Sequence, residues 1–199
     1  MKKIKICGLS RMADIEAVNA VKPEYCGFVI DFPKSKRNVD KETVKKLSAA
    51  LEREIVPVGV FVDKSPEDVA LLLNSSVILA AQLHGSEDNE YIKRLRALTD
   101  KEIWQAFRIT SRKDIEKAYE SKADFVLLDA GQGCGESFDW SLLHGFDRSF
   151  ALAGGLNTGN LAEALQTDAE LLDVSGGVET NGVKDDAKIR EFVYTVRKK

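Results

Sequence analysis

Short apolar runs recur along this chain at intervals of roughly 20–30 residues, and each is followed by polar positions at helical spacing. The runs occupy 4–7, 26–30, 56–62, 78–83, 103–109, 125–128, 149–153 and 171–174. The first, within Lys3-Ile4-Lys5-Ile6-Cys7-Gly8, alternates: Ile4 and Ile6 share one face of a strand, while Lys3, Lys5 and Cys7 share the other. Recognisable helix starts lie between the runs. Ser65-Pro66-Glu67-Asp68 combines a capping serine, a proline at the first helical position and acids in the first turn. Asp40 precedes a helical pattern over 41–51, Ser86 an acidic first turn, and Asn157 a pattern over 161–165. Asp185 opens a last helix whose Ile189, Phe192, Val193 and Val196 form an apolar stripe facing a core.

Eight β/α units without a linker or a break in composition predict an α/β chain folded as a single (β/α)8 TIM barrel, one catalytic domain over 1–199. A doubly wound open sheet is the rival. It calls for a glycine-rich fingerprint after the first strand, and Cys7-Gly8-Leu9-Ser10 is not one.

Composition narrows the function. Of 199 residues 44% are hydrophobic, yet no apolar run approaches a membrane span, and Arg11, Asp14 and Glu16 interrupt any leader. The net charge of −3 argues against nucleic acid as a partner. Three scattered cysteines suit a reduced, cytoplasmic protein, and two histidines, His84 and His144, form no zinc-like cluster. Whether the protein is a monomer or a homodimer is not written in the pattern.

A barrel carries its chemistry at the C-terminal ends of its strands. The residues to weigh there are Cys7, Asp31, Asp63, His84, Arg108, Asp129, Gly154 and Ser175. An isolated strand cysteine is more often core than base, so Cys7 needs its context. Glycine pairs follow the last two runs, in Ala153-Gly154-Gly155-Leu156-Asn157 and Val174-Ser175-Gly176-Gly177. One pair reads as a tight turn; two in adjacent units read as a backbone cradle for phosphate. Asp129 either caps the following loop or acts as a general acid, sharing one proton with Cys7. Lys5 either favours a Cys7 thiolate or forms a structural ion pair with Asp173. After the second run, Lys34 and Lys36 read as solvated, whereas Arg37 has the fork to grip a carboxylate or phosphate. The segment Gly131-Gln132-Gly133-Cys134-Gly135-Glu136-Ser137 reads as either a lid or a surface loop.

Taken together, the chain resembles the phosphoribosylanthranilate isomerase family along its whole length. The resemblance rests on Lys5-Ile6-Cys7-Gly8, Phe32-Pro33-Lys34-Ser35-Lys36-Arg37, Val58-Gly59-Val60-Phe61-Val62, Gln82-Leu83-His84-Gly85, Leu127-Leu128-Asp129-Ala130, Phe138-Asp139-Trp140, Ala153-Gly154-Gly155-Leu156-Asn157 and Asp173-Val174-Ser175. Gly177-Val178-Glu179-Thr180 and Gly182-Val183-Lys184-Asp185 match as well. It implies an Amadori rearrangement of N-(5-phosphoribosyl)anthranilate in tryptophan biosynthesis, with a phosphosugar substrate and neither cofactor nor metal. By resemblance, Cys7 is the base, Asp129 the acid and Arg37 the grip on the anthranilate carboxylate. The phosphate then falls on amides around Gly154, Gly155, Ser175 and Gly176. Three departures stand out. The loop after Asp129 is short and lacks a customary tyrosine. Cys134 and Glu136 occupy unusual positions in it. Ser175-Gly176 stands where two serines are common. The alternatives are the sister isomerase of histidine biosynthesis, disfavoured by the Cys7 thiol, and a non-catalytic phosphate-binding barrel serving as a partner subunit.

Overall fold

The computed structural model describes residues 1–130 and 138–198. Eight strands close into one parallel barrel: β1 (Lys3–Cys7), β2 (Tyr25–Ile30), β3 (Val56–Phe61), β4 (Ala80–Leu83), β5 (Glu102–Arg108), β6 (Phe125–Asp129), β7 (Phe150–Leu152) and β8 (Leu171–Val174). Each pairs with its neighbour in chain order, and β8 returns to β1 with Lys5 opposite Asp173. Closure leaves none of the eight with an open edge. Where β1 ends beside β2, the two-residue strand Asn38–Val39 takes its place against Val29 and Ile30. That pairing delivers Arg37, the residue just before it, to the barrel mouth.

The strand alternation sorts side chains into two cores. Ile4, Ile6, Cys26, Phe28, Val126 and Leu128 point outward under the helices. Val58, Ala80, Trp104, Leu127, Ala151 and Leu171 fill the interior. Tyr25, Trp104 and Phe125 meet edge to face with centroids 5.0 and 5.3 Å apart, plugging the N-terminal end. The barrel is therefore packed below and leaves its polar residues above.

The outer helices are α1 (Met12–Val21), α2 (Lys41–Ala49), α3 (Pro66–Asn74), α4 (Asn89–Arg96), α5 (Arg112–Glu120), α6 (Leu161–Ala164) and α7 (Asp186–Arg197). Asp40, Ser65 and Asp185 cap α2, α3 and α7 through the backbone amides of Thr43, Asp68, and Ala187 with Lys188. All four residues of the α7 stripe are buried, each contributing about 1.5–3 kcal/mol of apolar burial. Two expected caps, Ser86 and Asn157, are not caps in the structure. Asp88, not Ser86, caps α4 through Tyr91 N, because it stands directly before the first helical residue. Ser86 instead donates to Asp63 Oδ1 from both its amide and its hydroxyl. Asn157 accepts from Gly159 N in a local turn rather than capping α6. Among the described residues, a single 3₁₀ turn at Trp140–Leu143 stands between β6 and β7 where a helix was expected.

Candidate active site at the barrel mouth

Cys7 ends β1 on the interior face and is buried. A Cβ on Gly27, its register partner on β2, would lie 2.6 Å from Cys7 Sγ. Only a residue without a side chain leaves room for the sulfur there. Below it, Lys5 is wholly enclosed and donates from Nζ to Asp173 Oδ2 at 2.7 Å. Of the two readings open for Lys5, the geometry supplies the ion pair, and the charge of its ammonium also bears on the Cys7 thiol. Burial raises the Cys7 thiol pKa, and the Lys5 ammonium works against that rise. Burial alone would lower the pKa of Lys5, but the charges of Asp173 and Cys7 outweigh it and raise it.

Asp129 ends β6 on the same interior face. His84 Nε2 lies 3.6 Å from Asp129 Oδ2, and Gln82 Nε2 is 3.0 Å from His84 Nδ1. With the Gln82 amide as donor, Nδ1 accepts and the ring proton sits on Nε2, facing the carboxylate. Burial raises the Asp173 carboxyl pKa; the Lys5 ammonium opposes that rise and Asp129 adds to it. Cys7, Lys5, Asp173, Asp129 and His84 thus form one electrostatically connected group across the mouth.

Arg37 lies over the end of β1. A Cβ on Gly8, where φ is +78°, would meet Arg37 Cδ at 2.3 Å. The guanidinium donates from Nε to Glu179 Oε1 at 2.6 Å and from Nη2 to Glu179 Oε2 at 3.0 Å. Lys184 Nζ donates to the same Oε1 at 2.7 Å, and Lys36 Nζ approaches Oε2 at 3.3 Å. Burial works against the Glu179 carboxylate, but its bonds to Arg37 and Lys184 hold its pKa at about 2. Lys36, read as solvated, therefore joins this cluster from the rim.

The two glycine pairs meet. A Cβ on Gly177 would lie 1.9 Å from Leu156 O, so the loops after β7 and β8 touch backbone to backbone. Asn157 and Asn160 both donate to Gly155 O, at 2.9 and 3.0 Å, and so turn the Gly155–Leu156 amide proton the opposite way. Among the described residues, a Cβ on Gly176 would have only Arg37 Nη2 near it, at 3.5 Å. The Ser175 hydroxyl is committed to Cys7 O at 3.0 Å. Gly154 carries a further constraint. Its φ is +83°, and a Cβ would lie 2.3 Å from Ala130 N and 2.6 Å from Asp129 Oδ1. Gly154→Ala is expected to destabilise by about 2 kcal/mol or more, read as a lower denaturant midpoint with unchanged slope.

The structure thus gathers Cys7, Asp129, Arg37, Gly154, Gly155, Ser175 and Gly176 at one end of the barrel. Asp31, Asp63 and Arg108 also end strands or follow them, but among the described residues join none of these contacts. The segment 131–137, with Cys134 and Glu136, lies outside the described residues. Sequence reasoning assigned no role to Glu179 and Lys184, although a signal was present. Asn181-Gly182 is a two-residue hairpin turn with both φ positive, and it sets Glu179 directly opposite Lys184. Among the described residues no group of three or more His, Cys, Asp and Glu side chains is placed to hold a metal ion, and no helix is long and apolar enough to cross a membrane.

Comparison with known proteins agrees over the full length. The family model described as N-(5'phosphoribosyl)anthranilate (PRA) isomerase matches residues 4–195. An N-(5'-phosphoribosyl)anthranilate isomerase of Endomicrobium trichonymphae is 43% identical over 203 residues, covering 99% of either chain. Among solved structures, phosphoribosyl anthranilate isomerase from Thermotoga maritima superposes with a TM-score of 0.90 at 30% identity, covering 100% of both chains. A phosphoribosyl anthranilate isomerase in complex with reduced 1-(o-carboxyphenylamino)-1-deoxyribulose 5-phosphate gives a TM-score of 0.88 at 29% identity, again covering 100% of both chains.

Proposed function

The chain belongs to the N-(5'-phosphoribosyl)anthranilate isomerase family, and from that premise we propose which of its groups carry the reaction. The reaction is the Amadori rearrangement of N-(5-phosphoribosyl)anthranilate to 1-(2-carboxyphenylamino)-1-deoxyribulose 5-phosphate, a step of tryptophan biosynthesis. In our reading Asp129 gives its proton to the furanose ring oxygen. The bond from that oxygen to C1 breaks, and the anthranilate nitrogen lone pair forms a protonated imine. Cys7, as thiolate, then takes the proton from C2. The electron pair left behind forms the C1–C2 double bond as the imine π pair returns to nitrogen, producing an enolamine, which becomes the 2-ketone when a proton adds to C1 and the 2-hydroxyl gives up its own.

One observation carries this assignment. Cys7 and Asp129 end β1 and β6 on the same interior face of the same rim, joined through Lys5 and Asp173. A sugar at the mouth then has a sulfur on one side and a carboxyl on the other. Arg37 is the group for the anthranilate carboxylate. Its Nε and one Nη2 hydrogen serve Glu179, and the Nη1/Nη2 edge remains as a second bidentate face. The phosphate takes backbone amides of the touching loops at Gly154, Gly155, Ser175 and Gly176. Support for that cradle is that, among the described residues, Arg37 Nη2 alone approaches Gly176, together with the turned peptide at Gly155. All of this lies within one catalytic domain, acting in the cytoplasm on a small phosphosugar, as a monomer or homodimer.

The decisive experiment is a crystal soaked with the reduced product. It is expected to show phosphate on the β7 and β8 loops with Cys7 and Asp129 flanking the sugar; phosphate bound elsewhere overturns the assignment. In solution, Arg37→Ala is expected to raise KM by about 10–100-fold with kcat changed much less, since its bond to the carboxylate is made equally in substrate and transition state. Disappearance of substrate fluorescence measures both constants.

A further inference from the structure

Glu179 is buried, and it sits between two cations that are themselves largely enclosed, Arg37 and Lys184. Neutralising a buried carboxylate takes one cation, and Lys184 already serves. It spends its three protons on Glu179 Oε1 at 2.7 Å, Ser175 O at 3.0 Å and Ser175 Oγ at 3.3 Å. A lysine so satisfied has nothing left for a ligand. Arg37 is therefore surplus to the structural need, and the group keeps a net positive charge. Its fork is nevertheless fixed at both ends, with its stem wedged over Gly8 and its Nε/Nη2 edge on the carboxylate. Ser175 ties the assembly to the carbonyl of Cys7, so the arginine is held in register with the strand that bears the base.

We infer that Glu179 is a positioning residue for substrate recognition, holding the Arg37 guanidinium so that its other edge meets the anthranilate carboxylate. Lys184 fixes Glu179 in turn, and the Asn181-Gly182 hairpin supplies the register that puts the two opposite each other. An arginine ordered before binding gives up less side-chain freedom when the ligand arrives, and a fork pointed one way discriminates by carboxylate geometry. The inference rests on the reading of Arg37 given above.

The test compares two stable ligands by calorimetry: the reduced product and its counterpart made from aniline, which lacks the carboxylate. The native enzyme is expected to bind the first about 10–100-fold more tightly. In Glu179→Gln that preference is expected to fall to within about threefold of unity, while the aniline ligand binds as before; Arg37→Ala behaves the same way, and the double variant loses no more than either single one. Should Glu179→Gln fail to fold, Glu179→Asp keeps the charge that Lys184 needs. It withdraws the carboxylate from Arg37 by one methylene and is expected to lose the preference likewise. If Arg37→Ala retains the preference, the reading of Arg37 fails and the inference with it. If Arg37→Ala loses it but the Glu179 variants keep it, the inference alone fails. Equal weakening toward both ligands marks a purely structural role and also overturns it.

Discussion

Cys7→Ala and Asp129→Asn are each expected to lower kcat/KM by about 10²–10⁴-fold while leaving the melting temperature nearly unchanged. Each variant deletes one proton-transfer group and little else. Removing the sulfur leaves the Lys5 ion pair with Asp173 intact. The Asp129→Asn side chain would keep the shape that Gly154 and Ala130 pack against. The pH dependence follows from the thiol. Burial raises the pKa of Cys7 above its ordinary value of 9.0, and the Lys5 ammonium only partly opposes this. A base works deprotonated, so kcat/KM of the native enzyme should still be climbing on the alkaline side of neutrality, by about tenfold per pH unit below that pKa. A profile already flat below pH 7, or full activity in either variant, removes Cys7 or Asp129 from the role assigned to it.

Much of this arrangement is legible from residue order alone, because a barrel converts strand ends into neighbours. The alternation in Lys3-Ile4-Lys5-Ile6-Cys7 already separates core-facing isoleucines from interior Lys5 and Cys7, and the closed sheet brings that interior face toward Asp129. Neighbourhood at finer scale was only partly visible. The sequence offered Asp173 as one partner for Lys5, and the register of β8 on β1, set by closure of the whole ring, decides for it. Gly154 read as a phosphate turn, but contacts across to Asp129 and Ala130 independently require it to lack a side chain. Glu179 and Lys184 stood in matched segments but were given no role. Their Asn-Gly turn was the overlooked cue, since a two-residue hairpin makes its flanking residues cross-strand partners. The expected caps at Ser86 and Asn157 failed because each side chain has another partner, the Asp63 carboxylate and the Gly159 amide, and sequence does not rank the partners within reach near a helix start.

Lys5→Met is expected to produce the largest loss of stability. It leaves the Asp173 carboxylate buried without its cation, which costs about 3–5 kcal/mol and lowers the melting temperature on the order of 10 °C. Pairing it with Asp173→Leu removes both charges and should recover most of that loss, because two apolar groups of similar volume need no mutual compensation. The sign of the pH effect is set by Lys5. Its folded pKa is raised above the ordinary 10.5. The ion pair's contribution is therefore complete below 10.5 and is lost as pH rises through the higher folded value, giving the native protein an alkaline limb in stability that Lys5→Met lacks. The double variant also separates packing from chemistry. Without the ammonium the Cys7 thiol loses the group that most lowers its pKa; loss of the Asp173 charge, which raises it, offsets this only in part, so the rising limb of kcat/KM should move to still higher pH even where the fold is restored. A double variant that is stable and keeps the native pH profile would confine Lys5 to holding the barrel together; a single variant that melts with the native protein would deny it even that.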